Sequence, residues 1–191
     1  RAKTASNLKT DETATPAMTK LTKTKKIADW LTNTFDKTLS TYKKNARISV
    51  EKLATDAWLS MTPEPEKYRG VKINERWQTE VLSSNGKSLP IGNPGHRQTL
   101  AVCIFDGLRK TSGRKFPTFY DNPGSNISDV VLQKMAKHFW DNTDDQIVML
   151  SHGGGLRKQN TMDLYGNKLA KAWELSYSSE NTTTSVKEVI Q

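Results

Sequence analysis

One narrow stripe of apolar residues in the first third of the chain constrains the fold more than any other feature. Its members recur at steps of three or four residues, which is the period of one face of an α-helix. Pro63 and Pro65 end the pattern. A helix this long with so narrow a stripe is typical of an arm or a coiled coil. We predict a helical or coiled-coil arm over 24–62, after a loose segment over 1–23. The stripe comprises Ile27, Leu31, Phe35, Leu39, Tyr42, Ala46, Val50, Leu53 and Ala57.

The chain is basic, and its charge is concentrated near the start. It has 29 Lys and Arg against 20 Asp and Glu, and residues 1–52 hold 12 of these basic side chains but only 5 of the acidic ones. Such a bias suits a polyanion such as DNA, although a solvated helical face has the same composition. The single Cys103 excludes an internal disulfide, and its apolar neighbours predict burial. The stretch "RAKTASNLKT" lacks the apolar core of a signal peptide, and no apolar run approaches 18 residues, so we expect a cytoplasmic location and no membrane partner.

The rest of the chain predicts an α/β domain over 63–180, followed by a tail over 181–191. Alternation in "WQTEV" and the turn signal Asn85-Gly86 predict a β-hairpin, with Val71–Asn74 as a further strand. Long and short apolar segments then alternate: "QTLAVCIFDGLRK", "KFPTFYD", "ISDVVLQKMAKHFWDN" and "QIVMLS", with a last strand near Trp173–Tyr177. The order helix, strand, helix, strand favours parallel strands in one layer.

Three loops of this domain carry residues suited to a phosphate ligand. In "GNPGHRQTLA", Asn93 can cap a helix, Pro94 fits its first position, and Gly95 permits close backbone approach, which together suit an anion. Asp121 ends a predicted strand, where a carboxylate can hold Mg²⁺. His152 follows the next predicted strand, at the edge where open α/β sheets bind ligands. Each loop alone is more often an ordinary cap, strand end or surface histidine.

The order of these loops resembles the C-terminal lobe of SMC-like, or ABC-type, ATPases, and most of all the DndD-type ATPases of bacterial DNA phosphorothioation and phage defence. The stretch "LAVCIFDGLRKTSGRKFPTFYDNP" looks like that family's signature helix leading into its Walker B strand. The resemblance covers about residues 25–180. It implies the C-terminal half of an ATPase head, with a parallel-strand α/β layer, a small β-hairpin region and a coiled-coil arm before them.

The resemblance also implies roles for single residues. Asn93, Gly95 and Gln98 fall on the signature pattern, which contacts the γ-phosphate of ATP held by a partner head. Asp121 falls on the Walker B aspartate that helps hold Mg²⁺. The D-loop corresponds to Ser125 through Ser128, and His152 falls on the switch histidine.

Several of these positions depart from the family pattern. Asn93 replaces the signature serine, and Asn122 stands where the catalytic glutamate is usual. The D-loop aspartate is Ser128, unless Asp129 replaces it. An amide can orient water but cannot take its proton, so Asn122 implies slow hydrolysis or hydrolysis helped by another group.

The phosphate loop that such an ATPase needs is missing from the sequence. The only Gly-Lys-Ser, Gly86-Lys87-Ser88, lies in the predicted hairpin and has Val81 where the motif requires glycine. We therefore expect the chain to be the C-terminal part of a longer protein, or else a separate subunit. Its expected partners are an N-terminal Walker A lobe, a second ATPase head, DNA, and other subunits of a defence complex. The expected ligands are ATP and Mg²⁺.

Two other interpretations stay open at this stage. The chain could be a structural DNA-binding or assembly module derived from such an ATPase, with weak catalysis. It could also be an unrelated small α/β domain with a basic arm for nucleic acid, although that leaves the order of the three loops unexplained.

Overall fold

Two compact units make up the molecule, Arg1–Asn45 and Ala46–Gln191. The computed structural model describes residues 16–142, 145–150, 170–179 and 182–188. The elements are the helices α1 (Pro16–Met61), α2 (Pro94–Ser112) and α3 (Asp129–Asn142), a 3-10 turn (Pro65–Lys67), and the strands β1 (Tyr68–Ile73), β2 (Thr79–Ser83), β3 (Ser88–Leu89), β4 (Thr118–Asp121), β5 (Ile147–Leu150), β6 (Trp173–Ser178) and β7 (Thr183–Glu188).

The described part of the first unit is the beginning of α1. This helix starts at Pro16, so residues 16–23 are helical although the sequence pattern predicts them to be loose. Every side chain described in this unit is exposed, including Phe35 and Tyr42 of the apolar stripe. The predicted long helix is therefore confirmed. No partner helix for a coiled coil lies among the described residues of this unit, and the coiled coil stays a prediction.

A small antiparallel sheet of order β1-β2-β3 opens the second unit, and the predicted Asn85-Gly86 turn joins β2 to β3. Side chains of α1 bond to the free edge of β1. The Thr55 hydroxyl bonds to both the N–H and the carbonyl of Val71, each at 3.0 Å. At Ile73, the N–H donates to a Glu51 carboxylate oxygen at 2.7 Å and the carbonyl accepts from Arg47 at 2.6 Å. The helix thus takes the place of a neighbouring strand.

Strands β4 and β5 form the predicted parallel pair, with Asp121 opposite Leu150 in register. Thr118 and Tyr120 point into the core, where both are buried. Phe119 points the other way with 67% of its surface exposed, and Leu150 is 48% exposed. Among the residues that the structure describes, this pair is therefore covered on one face only.

The core of the second unit is formed by the end of α1, by α2 and by α3, packed with the β1-β2-β3 sheet and the β4-β5 pair. Gly107 allows α1 and α2 to approach closely, because a Cβ at this position would lie 3.0 Å from the Val50 carbonyl oxygen. The predicted burial of Cys103 is confirmed at 0% exposure. The largest fully buried side chains are Trp58, Met61, Ile73, Met135, Val50, Asp106 and Cys103.

Strand β7 lies inside the segment predicted to be a tail. It pairs with β6 in an antiparallel hairpin in which Leu175 stands opposite Val186. Its residues are exposed throughout and mostly polar, so no apolar alternation marks it in the sequence. No helix in the described ranges is long and apolar enough to cross a membrane.

Candidate functional site

The N-terminus of α2 has the capping geometry that the sequence predicts. The Asn93 side chain accepts a hydrogen bond from the Gly95 N–H at 2.8 Å, and Pro94 takes the first helical position. No acidic side chain lies in the first turn of the helix. The exposed end of α2 therefore keeps the positive dipole character that favours an anion.

Asp121 and the loop after it leave β4 in a compact turn. The Asp121 carboxylate is exposed at the strand end, on the uncovered face of the parallel pair. Asn122 has a left-handed backbone with φ of 48°, and its N–H donates to the Leu150 carbonyl at 2.8 Å. Asparagine tolerates this conformation better than most residues, and glutamate would be strained there. Ser128 caps α3, since its hydroxyl accepts from the Val131 N–H at 3.4 Å.

Gln98 brings the two segments together. Its Nε2 donates to the Asn122 carbonyl at 2.8 Å, although the two residues are 24 positions apart. Its Oε1 accepts from the Ser125 hydroxyl at 3.3 Å and from the Asn126 Nδ2 at 3.2 Å. The start of α2 and the loop after β4 thus form one continuous polar surface, which we call the composite face (residues 93–98 and 121–128).

Gly95 makes a second contact across the composite face. A Cβ at this position would lie 2.4 Å from the Asn126 carbonyl oxygen, so only glycine fits. The sequence predicts a close backbone approach at Gly95, and in this structure the segment that approaches it is the loop after β4.

The structure brings together most of the candidate residues. Gln98, Asn122 and Ser125 are in direct contact, while Asp121 and Ser128 lie at the two ends of the same loop. His152 lies outside the described residues.

The side chains of the composite face fit Mg²⁺ together with a nucleotide better than Mg²⁺ alone. No group of three or more His, Cys, Asp or Glu side chains that could hold a metal occurs among the described residues. Mg²⁺ needs no such cage, since it is usually bound by one or two carboxylates plus phosphate oxygens and water. Asp121 supplies one such carboxylate, and the phosphate oxygens of a nucleotide would supply further ligands.

A buried ionic cluster around Asp106 of α2 was not predicted from the sequence. Asp106 is fully buried and accepts from Arg109 at 2.8 Å, Lys110 at 2.8 Å and His138 Nε2 at 3.0 Å. Arg109 also pairs with Asp145, and the other ring nitrogen of His138 lies 2.8 Å from the Ser60 hydroxyl. These contacts join α1, α2, α3 and the residue two positions before β5. The spacing of Asp106, Arg109 and Lys110 on one helix could have signalled the pairs within α2, but nothing local indicates His138.

Burial and charge shift the pKa values around this cluster. Burial alone would raise the pKa of Asp106, but the hydrogen bonds from His138, Lys110 and Arg109 outweigh it and hold the pKa below its ordinary value. Burial raises the pKa of the Cys103 thiol, and the Asp106 charge adds to the effect. Cys103 is therefore an unreactive core residue.

Comparison with solved structures identifies a similar fold, whereas comparison with protein families and with curated proteins finds no match. A chain from work on ATP-driven dimerization and DNA-stimulated activation of SMC ATPases matches with TM-score 0.58 and 9% identity, over 79% of this chain and 89% of that one.

Two archaeal structures match as well. One is the Smc head domain with a coiled coil and joint from Pyrococcus yayanosii (TM-score 0.55, 11% identity, 87% of this chain and 30% of that one). The other is the Smc head domain with an extended coiled coil from Pyrococcus furiosus, bound to the C-terminal domain of ScpA (TM-score 0.55, 9% identity, 91% of this chain and 44% of that one). This chain therefore spans less than half of either archaeal chain, and at such identities the likeness is one of fold: the chain has a mixed α/β fold similar to SMC ATPase head domains.

Proposed function

We propose that this chain is the C-terminal nucleotide-binding lobe of an SMC-like ATPase whose heads close on ATP and couple that closure to DNA. The observation that carries the proposal is the contact of Gln98 with the loop after Asp121. It supports the proposal because it unites the signature-like helix start with the Walker B-like strand end, the two parts of this lobe that would face nucleotide.

The residues of the composite face have distinct roles in this proposal. Asp121 would hold Mg²⁺, which offsets the negative charge of the ATP phosphates. Asn93 and Gly95 would present the start of α2 to the nucleotide of a second head. Asn122 would orient water without accepting its proton, so hydrolysis would be slow. Ser125 and Ser128 would contribute to nucleotide binding from the same loop as Asn122. His152 would act as the switch histidine.

The uncovered face of β4 and β5 supports the proposed N-terminal Walker A lobe as a partner, on the same chain or on another. Parallel strands occur almost only in sheets that are covered on both faces. Here Phe119 and Leu150 stay exposed on the face that also carries Asp121. A phosphate-loop lobe packed on this face would bury both side chains and place its phosphates beside the Asp121 carboxylate.

The biological setting follows only from the sequence resemblance. The DndD-like motif supports a cytoplasmic role in DNA modification or anti-phage defence, with other defence subunits as partners. The basic residues near the start of the chain support electrostatic contact with DNA, which would weaken steeply with salt.

The test uses the complete protein with its phosphate-loop lobe. Asp121→Ala should abolish both ATP-dependent head closure, measured by size-exclusion chromatography with light scattering, and ATP hydrolysis. Asp141→Ala is the matched control, because Asp141 is an exposed carboxylate on α3 that pairs only with Lys137 among the described residues. Unchanged closure and turnover in Asp121→Ala would refute the assignment.

A second candidate function is a structural or DNA-binding assembly module with weak catalysis. Asn122 favours it, because an amide cannot take a proton from water and because asparagine, unlike glutamate, suits the left-handed backbone at this position. Asn122→Glu separates the two functions. A rise in ATP turnover supports an intact but slow site, whereas unchanged turnover supports the assembly module.

A further inference from the structure

We propose that Ser60 is a nucleophile activated by His138, and that it accepts an acyl group from a small activated ester. Ser60, His138 and Asp106 lie in one line of hydrogen bonds outside the composite face, and this line is called the serine relay below. The serine relay is a second site, and its chemistry does not depend on the nucleotide function proposed above.

The serine relay runs from the solvent into the core. The Ser60 side chain is exposed in the last turn of α1. Its Oγ lies 2.8 Å from His138 Nδ1, and His138 Nε2 lies 3.0 Å from an Asp106 carboxylate oxygen. His138 is 7% exposed and Asp106 is fully buried. A hydroxyl, an imidazole and a carboxylate in this order form the arrangement in which a base activates a serine and a third group orients the base.

The positions of the protons assign a direction to each hydrogen bond. Two cationic side chains of α2 also donate to Asp106, so this group is a carboxylate that can only accept, and His138 Nε2 must carry a hydrogen. In a neutral imidazole the other nitrogen has no hydrogen, so His138 Nδ1 accepts the Ser60 O–H. When His138 is protonated, Nδ1 becomes a donor and the Ser60 hydroxyl turns to the Ala57 carbonyl at 2.7 Å. The neutral form of His138 is therefore the one that activates Ser60.

The expected reaction is a single acyl transfer. Ser60 Oγ would form a bond to the carbonyl carbon of the ester while its proton passes to His138 Nδ1. The bond from that carbon to the leaving oxygen then breaks, and the leaving group departs as an alcohol with the proton that His138 returns. The product is an acyl-serine, whose oxygen has no hydrogen to donate to His138.

The charges around Ser60 favour a neutral ester over a phosphorylated donor. Ser60 lies at the C-terminal end of α1, where the helix dipole is negative and disfavours an added phosphate. Lys134 Nζ donates to the Thr62 carbonyl at 2.7 Å and offsets that negative end. The negative charge that develops on the ester carbonyl oxygen therefore forms at a helix end whose own negative charge is reduced.

The experiment compares two serines within one native protein. The complete protein is incubated with p-nitrophenyl acetate, and acetylation of each serine is followed over time by peptide mass spectrometry. Ser60 should react about 100-fold faster than Ser40, which is the low end of what general-base catalysis contributes. Ser40 is the internal control, because it is exposed on the same helix and its hydroxyl has no hydrogen-bond partner among the described residues. In concentrated urea the two rates should become equal, because the serine relay exists only in the folded protein.

Two variants test the roles within the serine relay. His138→Gln should lower the Ser60 rate about 100-fold and leave the Ser40 rate unchanged. Asp106→Asn should also lower the Ser60 rate alone, because an amide does not hold the hydrogen on His138 Nε2, whereas a purely structural role would leave the ratio of the two rates unchanged in the folded variant.

Circular dichroism establishes whether each variant is folded, and the comparison of native with urea-unfolded wild type decides alone if neither is. The proposal is overturned if Ser60 and Ser40 react equally fast in native wild type, if the advantage of Ser60 persists in urea, or if folded His138→Gln retains it.

Discussion

Removal of the Asp106 charge should destabilise the protein more than any surface carboxylate. In Asp106→Asn, the side chain keeps its volume but leaves Arg109 and His138 facing a neutral amide in a buried site. Loss of one partner of a buried ion pair costs about 3–5 kcal/mol. We expect the low end, about 3 kcal/mol, because Arg109 retains Asp145 and the Lys110 side chain, 22% exposed, can turn to water.

Urea unfolding, followed by tryptophan fluorescence, measures this loss, since Trp58 is buried in the same unit. With a slope of about 2 kcal/mol per molar urea, the midpoint should fall by about 1.5 M. Asp141→Asn is the matched control, because its pair with Lys137 is exposed and worth about 0.5 kcal/mol. Equal shifts in the two variants would refute the claim that Asp106 holds the helices together.

The same variant makes a pH prediction with a definite sign. The folded-state pKa of Asp106 lies below its ordinary value, so its stabilisation is fully present above the unfolded pKa near 4. It is lost as the pH falls through the folded pKa. The unfolding free energy of wild type should therefore fall below about pH 4, and that of Asp106→Asn should fall less steeply over the same pH range. If it falls equally steeply in both proteins, other carboxylates determine the acid sensitivity.

Three further changes test the local geometry. Asn93→Ala should lower the unfolding free energy by about 1 kcal/mol, because the Gly95 N–H loses its cap, whereas Asn93→Asp keeps the acceptor and should not. Thermal melting distinguishes the two variants, and equal melting temperatures would contradict the role of the cap. Asn122→Glu should lower the unfolding free energy by about 1 kcal/mol, because glutamate is strained in the left-handed backbone of this position, whereas Asn122→Gly should not lower it. Equal urea unfolding midpoints for the two variants would contradict that strain. Gly107→Val should cost about 2 kcal/mol by forcing α2 away from the Val50 carbonyl, and a wild-type melting temperature would contradict that close packing.

The elements that the sequence predicts well are those encoded by neighbouring residues. The start of α2 follows from Asn93-Pro94-Gly95, and the β2–β3 turn follows from Asn85-Gly86, because caps and turns depend on the chemistry of a few adjacent side chains. The first turns of α1 were missed for the opposite reason. Their described side chains, from Met18 onward, are exposed, and the segment carries no apolar periodicity.

The contacts that define the composite face and the buried ionic cluster could not be predicted from local patterns. Gln98 meets Asn122 from 24 positions away, and His138 meets Asp106 from 32 positions away. Such contacts depend on how α2 and α3 pack against β4, which a single sequence does not encode in any short window. A resemblance to a known family identified Gln98 and the loop Ser125–Ser128 as separate motifs, but it did not indicate that Gln98 bonds to that loop.

The contact of α1 with β1 has a geometric consequence. Arg47, Glu51 and Thr55 are spaced four residues apart, a rise of about 6.0 Å per step along a helix. Their partners Val71 and Ile73 are two residues apart, about 6.6 Å along a strand. The two spacings nearly match, so Thr55 and Glu51 reach Val71 and Ile73 in turn, and the long Arg47 side chain reaches the Ile73 carbonyl as well. They also close an edge to which another chain's strand could otherwise add. Movement of this part of α1 along β1 would leave the N–H and carbonyl groups of Val71 and Ile73 unbonded, so these contacts fix the position of the helix on the strand.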